Sequence, residues 1–240
     1  MSRSAIAGEF ETRPYRRLGR LLLEQAVIPA FYRLTTFLMA LVLSIFGDWQ
    51  VRGRQRVPAT GPLIVVANHL SLADPPLLGA SLPRRVRFMA KEELFQSRLG
   101  GVWIRLFGAF PVRRFQADLK ALRNAQRLLQ DGQVLGMFPE GHRGSGRALQ
   151  PAHPGTALLA LRSGCPVLPV GITGTERIRS LRVLLEHPRI TVTVGAPFTL
   201  PAPERLNAQA VQQGSDQIMR AIAALLPGSY GGGYTRGEEH

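Results

Sequence analysis

Three short polar segments carry side chains whose types and spacing suit proton transfer and phosphate binding. The first is Asn68-His69-Leu70-Ser71-Leu72-Ala73-Asp74. A histidine and an aspartate five residues on, with Pro75 and Pro76 opening a helix, can meet across one turn. The aspartate would accept a hydrogen bond from one imidazole nitrogen, fix the tautomer and raise the basicity of the other, which could then take a proton from a hydroxyl. The plainer reading is a loop histidine beside an aspartate that only caps the helix. The second segment is Phe138-Pro139-Glu140-Gly141-His142-Arg143, with Gly144 and Gly146 following. Such a turn exposes backbone N–H groups and can aim a carboxylate and a guanidinium into one cleft, or simply pair Glu140 with Arg143 in solvent. The third, Gly108-Ala109-Phe110-Pro111-Val112-Arg113-Arg114, ends in an arginine pair that could grip a phosphate bidentately or merely lie on the surface.

The elements that must position these groups follow from the apolar pattern. Residues 63–67, 86–89, 134–138, 167–172 and 190–194 are short, continuous, largely β-branched runs of the kind buried on both faces of a parallel sheet. Helical spacing covers 117–130 and 156–163, each closed by a glycine, and a last amphipathic helix covers 204–226. Alternation of strand and helix predicts an α/β domain with a mostly parallel sheet flanked by helices. Two of the polar segments directly follow strands, where open α/β sheets place their ligand sites. Arg52, Arg54 and Arg56 alternate with period two, which on a strand would line one edge or face with arginine.

The first 25 residues are polar and basic, with acidic residues that argue against a cleavable leader. Residues 26–46 are strongly apolar, interrupted by Pro29 and Arg33. The uncharged stretch 34–46 would span only about 20 Å as helix, short of a bilayer core of about 30 Å. The favoured reading is therefore a membrane-contacting helix dipping into one leaflet, with burial against the domain as the alternative and a true span as the least favoured. The expected organisation is 1–48 as a basic and apolar helical segment, 49–227 as the α/β domain and 228–240 as a flexible, glycine-rich tail.

Composition narrows the function. The 240 residues carry 30 basic and 16 acidic side chains, a formal charge of +14, and every basic residue except Lys91 and Lys120 is arginine. That balance indicates an anionic partner: nucleic acid, a membrane surface or phosphorylated substrates. Aromatic content of 7% and the absence of a recognised binding module weigh against nucleic acid, which stays as a distant alternative. The single cysteine, Cys165, can form neither an internal disulfide nor a thiolate zinc site, and reads as a small buried hydrophobe. Hydrolase elbows, Walker loops, dinucleotide fingerprints and His-Glu-x-x-His are missing.

Taken together, the segments resemble the lysophospholipid acyltransferase family, of the bacterial 1-acyl-sn-glycerol-3-phosphate acyltransferase type. The resemblance covers about residues 50–200, in the family's motif order. His69 and Asp74, preceded by Asn68, match a His-x-x-x-x-Asp motif; Gly108 and Arg114 match a glycine followed six residues later by arginine. Phe138 to Gly141 with Arg143 match the Phe-Pro-Glu-Gly turn, and Val167, Pro169 and Val170 match a Val-x-Pro-Val strand. Lys91 matches a lysine common in relatives. The family more often has an acidic residue where Arg113 stands and threonine where His142 stands; the change at Arg113 favours an anionic acceptor.

The resemblance implies transfer of a fatty acyl group from a thioester of coenzyme A or acyl carrier protein to the free hydroxyl of 1-acyl-sn-glycerol-3-phosphate or another lysolipid. Glycerol 3-phosphate and a lyso-ornithine lipid are the alternative acceptors. His69 would be the base and Asp74 its orienting partner, with Asn68, Arg114, Glu140, Gly141 and Arg143 in substrate binding. Backbone N–H groups near Glu140 and Gly141 would hold the oxyanion, and Glu140 would order the arginines or bond a glycerol hydroxyl. No metal or bound cofactor is expected. The implied partners are membrane lipids and an anionic membrane surface at the cytoplasmic face, contacted peripherally or monotopically.

Overall fold

A computed structural model describes residues 23–113, 118–142, 148–178 and 186–234. Seven strands, β1 (Asp48–Arg52), β2 (Leu63–Ala67), β3 (Val86–Lys91), β4 (Phe110–Val112), β5 (Val134–Met137), β6 (Val167–Thr173) and β7 (Arg189–Val194), form one sheet in the order β1-β7-β6-β2-β5-β3-β4. Every neighbouring pair is parallel except β6 with β7. The central strand, Leu-Ile-Val-Val-Ala, is buried throughout, so both of its faces must be covered.

The two faces are covered by different helices because side chains alternate along each strand. Leu63, Val65 and Ala67 point to one face with Val86 and Phe88, where α1 (Ile28–Phe46) and α2 (Asp74–Ser81) lie, adding Tyr32, Leu43, Leu77 and Leu78. Phe107, which closes α3 (Arg98–Leu106), joins the same cluster. Ile64, Val66 and Leu135 point to the other face, which α4 (Leu119–Gln130), α5 (Gly155–Ser163) and α6 (Ala208–Ala223) cover with Ala125, Leu129, Leu159, Ile218 and Ile222. Each fully buried aliphatic side chain contributes about 1.5–3 kcal/mol relative to exposure. Cys165 is buried in this second cluster.

Helix α1 differs from the reading of a helix buried against the domain. Only Tyr32 and Leu43 are buried, while Leu34, Phe37, Leu38, Leu41 and Ile45 are between 43% and 63% exposed. The cause is geometric: α1 is predominantly apolar around its circumference, but only part of it meets α2, α3 and β1, with Gly79 of α2 allowing Tyr32 and Thr36 to close in. The Tyr32 hydroxyl accepts the Val86 N–H at 3.1 Å, tying α1 to the start of β3. The helical run Gln25–Phe46 is also longer than the uncharged stretch suggested, and by length and composition it suffices to cross a membrane. Pro29 falls at the start of α1, directly after a π-helical turn over Leu23–Val27.

Two further expectations are corrected. Arg52 ends β1, Gly53 turns with φ +75°, and Arg54–Arg56 form a 3-10 turn, so the three arginines share no strand face. A Cβ at Gly53 would stand 2.3 Å from the Val194 carbonyl oxygen, which makes the turn obligatory. The expected mobile tail is docked over 228–234. A short helix, α7 (Gly228–Gly231), buries Tyr230, whose carbonyl accepts the Leu149 N–H at 2.9 Å and whose hydroxyl donates to Glu176 at 2.8 Å. The glycines dominate that composition, yet Tyr230 and Tyr234 pack on the second cluster and hold the segment. Residues 235–240 lie outside the described part.

Candidate active site

His69 lies two residues beyond β2, at the carboxyl end of the sheet, and Asp74 is the first residue of α2. The His69 Nδ1 and Asp74 Oδ2 are 2.8 Å apart, with the aspartate fully buried and the histidine nearly so. The same carboxylate oxygen accepts the Leu70 and Ser71 N–H groups, each at 2.7 Å, while Oδ1 is buried without a hydrogen-bond partner. Three donors on one oxygen hold the carboxylate at the mouth of α2, and it in turn holds the imidazole. The ring stacks on Phe138, with centroids 4.1 Å apart and planes 19° apart. Since Nδ1 is committed to Asp74, Nε2 is the nitrogen that remains for a substrate proton.

Glu140 occupies a different place from the one its sequence context suggested. It is 2% exposed; Oε1 accepts the His69 N–H and Oε2 the Gln150 N–H, both at 2.9 Å. Burial raises its carboxyl above the usual carboxylate range, and the two backbone donors oppose that shift. Each oxygen thus already holds a backbone N–H of the protein, which gives Glu140 a positioning role beside the expected contact with a glycerol hydroxyl. It ties the loop after β2 to the loop after β5 and to residue 150. The Gly141 N–H, expected near the oxyanion, donates to the Phe138 carbonyl at 3.0 Å. Its φ of +72° and the 2.3 Å between a built Cβ and the His153 ring explain why glycine is required.

Asn68 is likewise engaged with the protein backbone. Its side-chain N–H donates to the Ile172 carbonyl at 2.8 Å, and its Oδ1 accepts the Ile172 N–H at 2.7 Å. The amide thus imitates a peptide group and extends the β2–β6 ladder one step past Ala67, fixing where His69 leaves the sheet. Among the residues of the Gly108–Arg114 segment, Arg113 pairs with Glu92 at 2.7 Å, and its backbone N–H donates to Asp118. The Glu92 carboxylate holds the Arg113 guanidinium above its ordinary range. Lys91 pairs with Glu93 at 3.2 Å on the surface. Arg114 and Arg143 lie outside the described residues. Among those described, no three His, Cys, Asp or Glu side chains gather as metal ligands.

Sequence reading missed the space beside this pair. A cavity of about 560 Å³ opens between α4, α5 and the ends of β3 and β5, lined mainly by apolar groups such as Leu122, Ala125, Met137, Phe138 and Leu159. Phe138 both lines the cavity and stacks on the His69 ring, so one aromatic side chain is shared by the two. Arg113, Asp118, His153 and Arg162 also line it, which places charged and polar groups on a mainly apolar wall. The only legible signal was the small residues Ala121 and Ala125 on the inner stripe of α4, where larger side chains would have filled the gap.

Comparison with known proteins agrees with the geometry. A family model described as Acyltransferase matches residues 48–173, just over half of the chain. A 1-acyl-sn-glycerol-3-phosphate acyltransferase from Bacillus subtilis is 28% identical over 184 residues, 74% of this chain and 90% of that protein. One from Streptococcus pneumoniae is 30% identical over 199 residues, 81% of this chain and 73% of the relative. The crystal structure of a 1-acyl-sn-glycerophosphate acyltransferase from Thermotoga maritima shares the fold, with a TM-score of 0.60 at 23% identity, covering 90% of this chain and 83% of that one. With the buried His69–Asp74 pair at the carboxyl end of the sheet and these matches across the same residues, the chain belongs to the acyltransferase family.

Proposed function

We propose that this acyltransferase transfers a fatty acyl group from the thioester of coenzyme A or acyl carrier protein to the free hydroxyl of 1-acyl-sn-glycerol-3-phosphate, giving phosphatidic acid. The observation that carries the reading is the His69 Nδ1–Asp74 Oδ2 contact of 2.8 Å beside an apolar cavity large enough for a fatty chain. The His69 Nε2 takes the acceptor hydroxyl proton as that oxygen attacks the thioester carbonyl carbon. The tetrahedral intermediate collapses by breaking the carbon–sulfur bond, and the departing thiolate takes the proton back from the imidazolium. Asp74 fixes the tautomer and stabilises the transient imidazolium charge. A thioester is already activated, so the scheme uses no covalent enzyme nucleophile; positioning and a base supply the acceleration.

Arg114 and Arg143 are assigned to the acceptor phosphate, and Glu140 and Asn68 to holding His69 rather than to touching substrate. Residues 1–48 serve as the membrane-contacting segment and the sheet-bearing part that follows as the catalytic domain, with 228–234 now counted as part of it. The exposed apolar stripe of α1 suits a monotopic contact. Because the donors are water-soluble carriers, the reaction is placed at the cytoplasmic face. The test is purified full-length protein with acyl-CoA and lysophosphatidic acid, phosphatidic acid being followed by mass spectrometry. A lyso-ornithine lipid and glycerol 3-phosphate serve as competing acceptors, and acyl carrier protein as the competing donor. Product that persists undiminished in His69→Ala removes the base; preference for another acceptor replaces the substrate.

A further inference from the structure

The glycine that opens the Gly108–Arg114 segment faces away from His69, toward an arginine that the reaction does not use. Gly108 has φ +86°, and a Cβ there would stand 2.6 Å from the Arg85 Nη2. Arg85 immediately precedes β3 and lies over the Tyr32 ring, 5.5 Å from its centroid. Its Nε and Nη2 are buried and have no hydrogen-bond partner. A half-buried guanidinium ordinarily has an acceptor for each N–H that is cut off from water, because an unmet donor forfeits its water without replacement. The surrounding charge makes matters worse. Burial first, then Arg87 and Arg33, push the Arg85 guanidinium down to about 10, opposed by Tyr32 alone. Among the described residues no carboxylate acts on it. Three cations drawn from α1, from the start of β3 and from β3 itself thus converge with donors left over.

We propose that Arg85 and Arg33, backed by Arg87, form a phosphate-binding site occupied by the phosphodiester of an anionic membrane phospholipid. A phosphate supplies what the cluster lacks: negative charge and several acceptor oxygens matched to the guanidinium fork. The site is separate from the reaction centre. Strands β2 and β3 both pair in parallel with β5, so Arg85 at the start of β3 and His69 past the end of β2 stand at opposite ends of the sheet, roughly 20 Å apart. Its neighbourhood gives the source of the phosphate. Helices α1 and α3 cover the same face of the sheet, and both leave apolar stripes bare. On α3 these are Leu99, which is 87% exposed, Val102 and Trp103. Phe31 of α1 meets Trp103 edge to face at 6.3 Å, joining the stripes. A tryptophan beside arginines at the rim of an apolar surface is the composition of a bilayer interface. A free phosphate or soluble phosphate ester is the other source of the same chemistry.

The test reads binding without turnover, so it stands whichever acceptor the His69 site takes. Full-length protein, Arg85→Gln and Arg33→Gln are floated with phosphatidylcholine vesicles with and without phosphatidylglycerol. Arg85→Gln weakens binding to the anionic vesicles about tenfold and Arg33→Gln about fivefold, while binding to pure phosphatidylcholine stays within about twofold. In detergent, inorganic phosphate is compared with chloride at equal ionic strength. A phosphate-specific rise in Tm that Arg85→Gln abolishes, with vesicle binding unaltered, keeps the site and makes soluble phosphate its occupant. Equal vesicle binding by all three proteins with no such rise overturns the proposal, as does an equal loss on neutral and anionic vesicles. Should Arg85→Gln lose its near-ultraviolet circular dichroism, Arg33→Gln, altered on an exposed turn of α1, and the phosphate response of the unmodified protein decide.

Discussion

The two ends of the sheet treat buried polar groups in opposite ways. At the carboxyl end, the polar atoms around His69 other than the Asp74 Oδ1 are matched by protein partners: the Asp74 Oδ2 by three donors, Glu140 by two backbone N–H groups, Asn68 by both polar atoms of Ile172. At the amino end, Arg85 keeps two buried donors unmatched among like charges. A closed network fixes one geometry before any substrate arrives, which is what a base needs. An open cation cluster is finished by what binds to it. The difference tells scaffold from recognition: Asn68 and Glu140 look like ligands in the sequence and are structural, whereas Arg85 is inconspicuous there and stands open.

That contrast can be broken at either end. The largest expected effect is that of His69→Ala, which lowers acyl transfer roughly 10³-fold while leaving binding to anionic vesicles as in the unmodified protein; a parallel fall in binding would show that the two ends are not independent. Next is Asp74→Asn, which removes the charge that steadies the imidazolium and misdirects one donor. Transfer falls about 10²-fold, with roughly 1–3 kcal/mol of stability lost in urea titration; a rate within threefold of normal would reduce Asp74 to a cap. Asn68→Leu leaves the Ile172 N–H and carbonyl buried and unmet, costing about 2 kcal/mol, or roughly 4–8 °C in Tm. If instead KM for the acceptor rises tenfold with Tm unmoved, Asn68 touches substrate and the contrast fails.

Smaller effects sharpen it. Glu140→Gln slows transfer about tenfold, because the amide nitrogen cannot accept and one of the two backbone N–H groups that the carboxylate holds, from His69 and Gln150, is released. Its pH signature has a fixed sign. The Glu140 carboxyl is raised on folding, chiefly by burial, so the folded protein binds more protons than the unfolded chain between the ordinary and the raised value. The associated stability is full below the ordinary carboxylate pKa and is lost as pH climbs through the raised one. Urea titrations across the mildly acidic range should show that slope in the unmodified protein and its loss in Glu140→Gln; identical slopes would contradict the assignment. The smallest is Tyr230→Phe, which removes the bond to Glu176 and costs about 1 kcal/mol, measurable as a Tm shift with transfer otherwise unchanged.

Sequence patterning located the long strands and helices because burial on two faces leaves continuous apolar runs, and residues 63–67 match β2 end to end. It missed β1 and β4: Asp48–Arg52 is half exposed and mixed in polarity, and Phe110–Val112 is too short to show a period. The His69–Asp74 contact was legible because both partners sit within one turn. The partners of Asn68 and Glu140 were not, being 104 and 71 residues away, and only the pairing of β2 with β6 and β5 brings them close. Arg85 gave no signal at all, since what marks it is the lack of an acceptor, a property of its surroundings.

The register of β1 carries a consequence for how the enzyme is made. Directly after the apolar α1, β1 pairs with β7, and Asp48 meets Arg189 across 141 residues of chain. A ribosome therefore delivers the greasy helix long before the strand that receives its continuation. Ile172, which anchors the loop of His69 through Asn68, also emerges late. Parallel pairings of this reach close slowly. A nascent chain shorter than about 170 residues already carries all of α1 while its base is unanchored, so the apolar helix stands bare before the centre it is joined to can form.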